Sequence, residues 1–294
     1  MPTMRLTSLL ALILMTAACA GTSGSANPGG SQTPAPTLSP DPLTIDHPKG
    51  AGDVVLRFEE GGGFVPADFI ATQAPAFTLY GDGTVVFRDS TAPGPDLGDG
   101  VVRGVPFRTA RLSEDQVQAL LDRAISRGAL GIAKAHYDPG TVADAPTATF
   151  TLNAGSIKKT VSAVALGMEA PPSIDTQTLA ALADLGALLR NFDPTGTSGA
   201  QAYKPSAYRA QLLDAGAPQQ NTRAWPWPGI KPADFKPPAE QADSSFLRRV
   251  FTPKEVAVLG LNGLEGGASG LAFKGPDKKT YTFTLRPLLP DEQS

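Results

Sequence analysis

The sequence predicts an α+β protein: antiparallel sheet, or sheets, with helices packed on one face, preceded by a signal peptide and a disordered tether. Two observations predict the folded part. Runs of alternating apolar and polar residues meet in pairs across turn sequences, the pattern of antiparallel hairpins. Single amphipathic helical segments separate those pairs, so each helix has a sheet to cover rather than another helix. A third observation, the scarcity of bulky apolar side chains between Ala20 and about Pro48, predicts that the fold starts late.

Residues 1–18 have the layout of a secretory signal. One basic residue, Arg5, precedes an apolar core from Leu6 to Met15, and Ala17-Ala18 stand just before Cys19. As a helix that core rises about 15 Å, roughly half of a ~30 Å hydrocarbon layer, too little for a permanent span. Cys19 is the only cysteine in the chain. The run Leu14-Met15-Thr16-Ala17-Ala18-Cys19 resembles the lipobox of bacterial lipoproteins. The resemblance implies cleavage before Cys19 and a diacylglycerol on its thiol, with palmitate as a typical acyl chain. An ordinary secretory signal with an incidental cysteine is the alternative. A lipidated Cys19 leaves no disulfide, no thiol nucleophile and no thiolate metal ligand. A body of this size buries enough surface to do without disulfides.

Residues 19–50 form the lipid-bearing cysteine and a disordered linker of Gly, Ser, Thr, Pro and Ala. Such a segment cannot offset its own ordering entropy. Its root-mean-square reach is on the order of 30 Å. His47, near its end, is expected in solvent.

An N-terminal α+β domain spans 51–195. Val54, Leu56 and Phe58 alternate with Val55, Arg57 and Glu59, as in a half-buried strand. Phe77–Tyr80 and Val85–Arg88 flank Gly81-Asp82-Gly83-Thr84, where the Asp-Gly pair is expected to supply positive φ angles. Residues 91–104 are expected to form an exposed loop. Ser113 caps a helix running to Arg127, with Gln116 in the reciprocal position and Gly128 beyond the end. Val117, Leu120, Leu121, Ala124 and Ile125 make its apolar stripe. A second hairpin pairs 147–152 with 158–165, and a helix follows from about Asp175 to Arg190.

A C-terminal α+β unit (β-α-β-β) with a Pro/Trp-rich segment spans 196–294, packed on the first as one body or separate from it. Residues 203–213 suit either a strand or a short helix. Thr252-Pro253-Lys254-Glu255 starts a helix, and strands follow at 270–274 and 280–286. From about Val54 to Phe192 the chain resembles a domain of unknown function found in bacterial lipoproteins. The matching pieces are Leu79-Tyr80-Gly81-Asp82-Gly83, the helix at Ser113, and Tyr137 followed by Asp144-Ala145-Pro146. With its ending Arg286-Pro287-Leu288-Leu289-Pro290-Asp291-Glu292, the whole chain is similar to uncharacterised actinobacterial-type lipoproteins. These motifs are structural, and the resemblance implies no activity and no site residues.

Catalytic signals are weak. Of two histidines, His136 is the only one in the body, in a predicted loop with Asp138. It is a candidate general base without a nucleophile motif beside it. A histidine metal site is close to excluded. Gly267-Ala268-Ser269-Gly270-Leu271 lacks the closing glycine of a nucleophile elbow. Ser156-Ile157-Lys158-Lys159 matches Ser-x-x-Lys but falls in a hairpin turn, not at a helix start. Gly98-Asp99-Gly100 with Gly104 misses the dinucleotide-binding spacing. Asp96, Asp99 and Asp138 are explained by turn chemistry. Glu59 and Glu60 are adjacent, so on a strand their side chains oppose.

The most unusual segment is Trp225-Pro226-Trp227-Pro228, which holds both tryptophans. The two rings are either a ligand-binding platform for a sugar or peptide, or core plugs, packing being the commoner use of aromatics. The net charge of −3, or −4 once Arg5 is removed, and the interspersed signs give no nucleic-acid surface. The expected protein is a lipid-anchored extracytoplasmic binding or interaction module. Its partners would be the membrane and an envelope ligand or protein, with no catalytic residues, metal or cofactor. A cell-envelope hydrolase using carboxylates is the alternative.

Overall fold

The computed structural model describes residues 44–65, 67–88, 92–140, 142–169, 172–192, 199–239 and 243–292. The signal peptide, Cys19 and the linker up to residue 43 lie outside the described residues. From residue 44 on, the described chain belongs to one compact unit. Strand outweighs helix, 31% to 19%, so two sheets rather than the helices define the architecture.

The first half contributes β1 (Val54–Gly61), α1 (Ala67–Thr72), β2 (Phe77–Tyr80), β3 (Thr84–Phe87), β4 (Val102–Arg103) and β5 (Arg108–Arg111). Then come α2 (Glu114–Asp122), β6 (His136–Tyr137), β7 (Thr147–Ala154), β8 (Ile157–Val164) and α3 (Thr176–Arg190). The second half adds β9 (Gln201–Ala202), β10 (Tyr208–Asp214), β11 (Arg223–Ala224), β12 (Leu247–Phe251), α4 (Pro253–Ala257), β13 (Ala268–Lys274) and β14 (Thr280–Pro287).

The first sheet runs β6-β8-β7-β1-β2-β3-β5-β9, antiparallel except for the β6–β8 pair. In its centre, register stacks like on like: Leu56 faces Leu79 and Leu152, and Phe58 faces Phe77 and Phe150. These side chains share one buried cluster with Val117, Leu120 and Leu121 of α2 and Leu182, Leu185 and Leu189 of α3. Fully burying a residue of this size stabilises by about 1.5–3 kcal/mol. Gly186 lets α3 sit close; a Cβ there would lie 3.3 Å from the Phe58 ring.

The capping box at Ser113 forms as expected, with both reciprocal bonds made. The expected single helix to Arg127 instead becomes a π-helical turn over Arg123–Arg127 before Gly128. In the β2–β3 turn only Gly83 takes a positive φ, at 85°, and its N–H donates to the Tyr80 carbonyl. Asp82 instead accepts from the Thr84 amide at 3.0 Å. One left-handed glycine therefore closes this hairpin, as in a bulged turn.

The second sheet runs β11-β13-β14-β10-β12, with β4 also pairing with β13. The segment 203–213 thus resolves as strand β10, and β12 lies between the Pro-rich segment and α4, where the β-α-β-β order places a strand. The two sheets exchange edges across the chain: β4 precedes residue 195 yet joins the second sheet, while β9 follows it and extends the first. A small third cluster of Ala74, Tyr80, Val86, Phe107 and Leu289 fills the seam between the sheets.

Three sequence expectations need correction. His47 is not solvated but 8% exposed, its Nε2 3.1 Å from Glu114 Oε1 and its Nδ1 2.7 Å from the Pro48 carbonyl. The reason is a neighbour that composition hides. Ile45 packs on the first core, and both its backbone groups bond the Gln118 amide, at 2.7 and 2.9 Å. Arg103, in the expected exposed loop, is buried because β4 completes the second sheet. His136 lies on a strand, not a loop, and its Nδ1 is 2.8 Å from Ser162 Oγ. Asp138 accepts from the Gly140 amide, as a turn aspartate does.

Candidate functional site

A cleft of about 610 Å³ opens where the end of β1, the Gln73–Ala76 connection, the residue after β3 and the end of β4 converge. Gly61-Gly62-Gly63 turns the chain out of β1, with φ of 78° at Gly62 and 81° at Gly63. That turn leaves Phe64 at the cleft with 90% of its surface exposed. Another wall depends on a close backbone approach. Gly104 N–H donates to the Gly267 carbonyl at 3.1 Å, and a Cβ on Gly104 would lie 2.3 Å from the Gly266 oxygen. A side chain at either glycine would force β4 away from β13.

Three arginines line the cleft. Arg190, on the last turn of α3, grips Glu60 of β1 through Nε to Oε2 at 2.8 Å and Nη2 to Oε1 at 2.5 Å. Arg103 grips Asp99 in the same forked way, at 2.8 and 2.7 Å, and its Nε donates to the Asn262 carbonyl. Such two-bond pairs are the strong form of the contact. The hydrogen bond from Arg103 holds the Asp99 carboxyl well below its usual range. The bond that Arg190 donates to Glu60 likewise raises the pKa of Arg190.

Arg88 differs. Its Nη2 donates to the Ala74 carbonyl at 2.8 Å and its guanidinium lies 4.8 Å from the centre of the Phe107 ring. Its Nε is buried and meets no hydrogen-bond partner, and among the described residues no carboxylate pairs with it. Burial, reinforced by the positive charge of Arg286, pushes its pKa down to about 10. Arg286 itself is satisfied: Nε donates to the Gln73 carbonyl at 2.7 Å, and its two terminal nitrogens bond Glu292 at 3.0 and 2.6 Å. Ala74 and Arg88 both line the cleft, which places this unbalanced cation at its wall. Such a site can attract an anion. Of the acids on the cleft, Glu60 is held by Arg190, while Asp144 stands exposed.

The tryptophans lie elsewhere. Trp227 is 3% exposed; its Nε1 donates to the Glu255 carbonyl at 2.8 Å and its ring packs against Phe251 and Phe283. Trp225 is half-buried, donates to the Ile230 carbonyl at 2.6 Å and meets Trp227 edge to face at 5.3 Å. Both rings point to the same side, into the core of the second sheet, so neither forms an open platform. Neither lines the cleft. Cys19 lies outside the described residues. Among those residues, no group of three or more His, Cys, Asp or Glu side chains could hold a metal ion, and no helix is long and apolar enough to cross a membrane.

Sequence reasoning missed Arg88. The available signal was its position after Val85-Val86-Phe87: alternation places it on the same face as Val86, a buried position. Comparison of the chain with family models, with curated proteins and with solved structures finds no match.

Proposed function

We propose that this chain is a membrane-anchored extracytoplasmic lipoprotein whose folded part is a non-enzymatic binding module, with the Arg88 cleft as its ligand site. The signal peptide of residues 1–18 directs export, Cys19 carries the lipid, and a disordered linker holds the α+β body clear of the bilayer. Two of its helices, α2 and α3, cover one face of the first sheet, while α1 and α4 lie against strands of the second. Its partners are the membrane, through the anchor, and an envelope ligand or protein. Several acyl chains on one cysteine bind a bilayer far more firmly than a single chain does.

The observation that carries the anchoring is the placement of the chain's one cysteine directly after Ala17-Ala18 at the close of the apolar run. The resemblance to bacterial lipoproteins supports the same reading. The cleft supports the binding role, because its half-buried Arg88 has a buried Nε without a hydrogen-bond partner and no acid bonded to it among the described residues. Palmitate labelling of cells expressing the chain, followed by membrane fractionation, tests the anchor. The wild type takes up label and sediments with membranes, while Cys19→Ala takes up none and keeps its signal or is released. An exported wild-type chain carrying a free Cys19 thiol by mass spectrometry would overturn the assignment.

A further inference from the structure

We propose that the cleft binds a small amphiphilic molecule carrying a single carboxylate, with the carboxylate set against Arg88 and the apolar part running toward Phe64. This deepens the binding-module reading and rests on it. Charge accounting sets the head group. Of the three arginines on the cleft, Glu60 neutralises Arg190 and Asp99 neutralises Arg103. Arg88 has no acid among the described residues, and the nearby Arg286 is already committed to Glu292. Arg88 is therefore the one cleft arginine with no acid bonded to it among the described residues, half-buried where an unpaired ion is costly, while Asp144, the remaining acid on the cleft, faces solvent. A buried polar group without a partner calls for a missing one.

A ligand with one negative charge balances Arg88. A doubly charged phosphate does not, because among the described residues the cleft has no second cation free of an acid, and Glu60 and Asp144 repel the excess charge. The rest of the ligand is set by the walls. Val65, Val105 and Ala76 line the cleft beside Phe64, which is 90% exposed. The volume, about 610 Å³, falls within the range of small-molecule sites.

Isothermal titration of the purified full-length chain, against a matched detergent blank, uses hexanoate, hexylamine and inorganic phosphate as probes. Hexanoate is expected to bind saturably at one site, hexylamine not at all, and phosphate at least tenfold more weakly than hexanoate. Arg88→Gln is expected to weaken hexanoate at least tenfold while leaving the unfolding midpoint unchanged or higher, since it removes a half-buried charge with no bonded acid. Phe64→Ser, at an exposed position that folding tolerates, is expected to weaken hexanoate several-fold and so tests the cleft independently of Arg88. No hexanoate binding by the wild type, tighter binding of phosphate, or wild-type hexanoate affinity in both variants overturns the proposal. Palmitate labelling is untouched by any of these results, so loss of the ligand assignment and loss of the anchor assignment are read separately.

Discussion

Arg88 and Arg286 come from different sheets and donate to the carbonyls of adjacent residues, Ala74 at 2.8 Å and Gln73 at 2.7 Å. Two like charges thus hold one short stretch of backbone, and among the described residues only Arg286 of the two has a carboxylate of its own. Glu292→Gln leaves both cations unbalanced at the seam. Removing one partner of a buried pair typically costs about 3–5 kcal/mol, and a urea titration should show a loss of about 3 kcal/mol. Adding Arg88→Gln to that variant should recover part of the loss. Strict additivity of the two substitutions would show that Arg88 does not sense the loss of Glu292.

Asp291 gives the seam an acid limit. Burial disfavours its charged form, but hydrogen bonds from Arg57 at 2.6 Å and Tyr80 at 2.7 Å, with the Arg57 charge, outweigh it and hold the carboxyl below its usual 3.8. A carboxyl depressed by folding contributes stability that is full above the unfolded value, about pH 4, and is lost as pH falls through the folded one. Unfolding midpoints measured from pH 6 to pH 2 should therefore drop below about pH 4. In Asp291→Asn the drop should be shallower and the stability at neutral pH lower. Parallel curves for the two proteins would remove Asp291 from the account.

The tryptophans separate by depth. Trp227→Ala removes a buried ring and strands the Glu255 carbonyl that accepts its N–H, and should cost about 3–5 kcal/mol. Trp225→Ala, half-buried, should cost clearly less. Equal effects in thermal unfolding would contradict the depths described above.

Gln118 pins the start of the body. Its amide bonds both backbone groups of Ile45 and donates to Glu114 at 2.8 Å. That bond, helped by those from His47 and Lys49 against the cost of desolvation, lowers the Glu114 pKa to about 2. Gln118→Ala should speed hydrogen exchange at Ile45 markedly while lowering global stability by about 1 kcal/mol. In the wild type the same amide should open as pH falls from about 4.5 toward 2 and Glu114 takes up its proton. Fast exchange at Ile45 already at pH 7 would refute the clasp.

Local signals explain what could be read from the chain. The hairpins at 77–87 and 147–164 announce themselves by alternation and turn glycines, and α2 by Ser113 and Gln116, all within a few residues of each other. β4, β9 and β11 have two residues each and exist only because a distant strand offers them hydrogen bonds. No window of sequence contains that information. His47 sits in a stretch that composition alone marks as linker, yet its partner Glu114 lies 67 positions away. The cleft was hidden for the same reason: Arg88 stands apart only once Glu60 and Asp99 are seen to have chosen other arginines.

The ion pair between Arg57 and Asp291 joins residues 234 positions apart, one near the start of the body and one near its end. During synthesis Arg57 therefore waits for almost the whole polypeptide to be made before it meets its acid, and long-range closures of this kind come late and slowly. The export proposed above would gain from that delay, because an extended chain could pass a membrane before this last stitch is drawn.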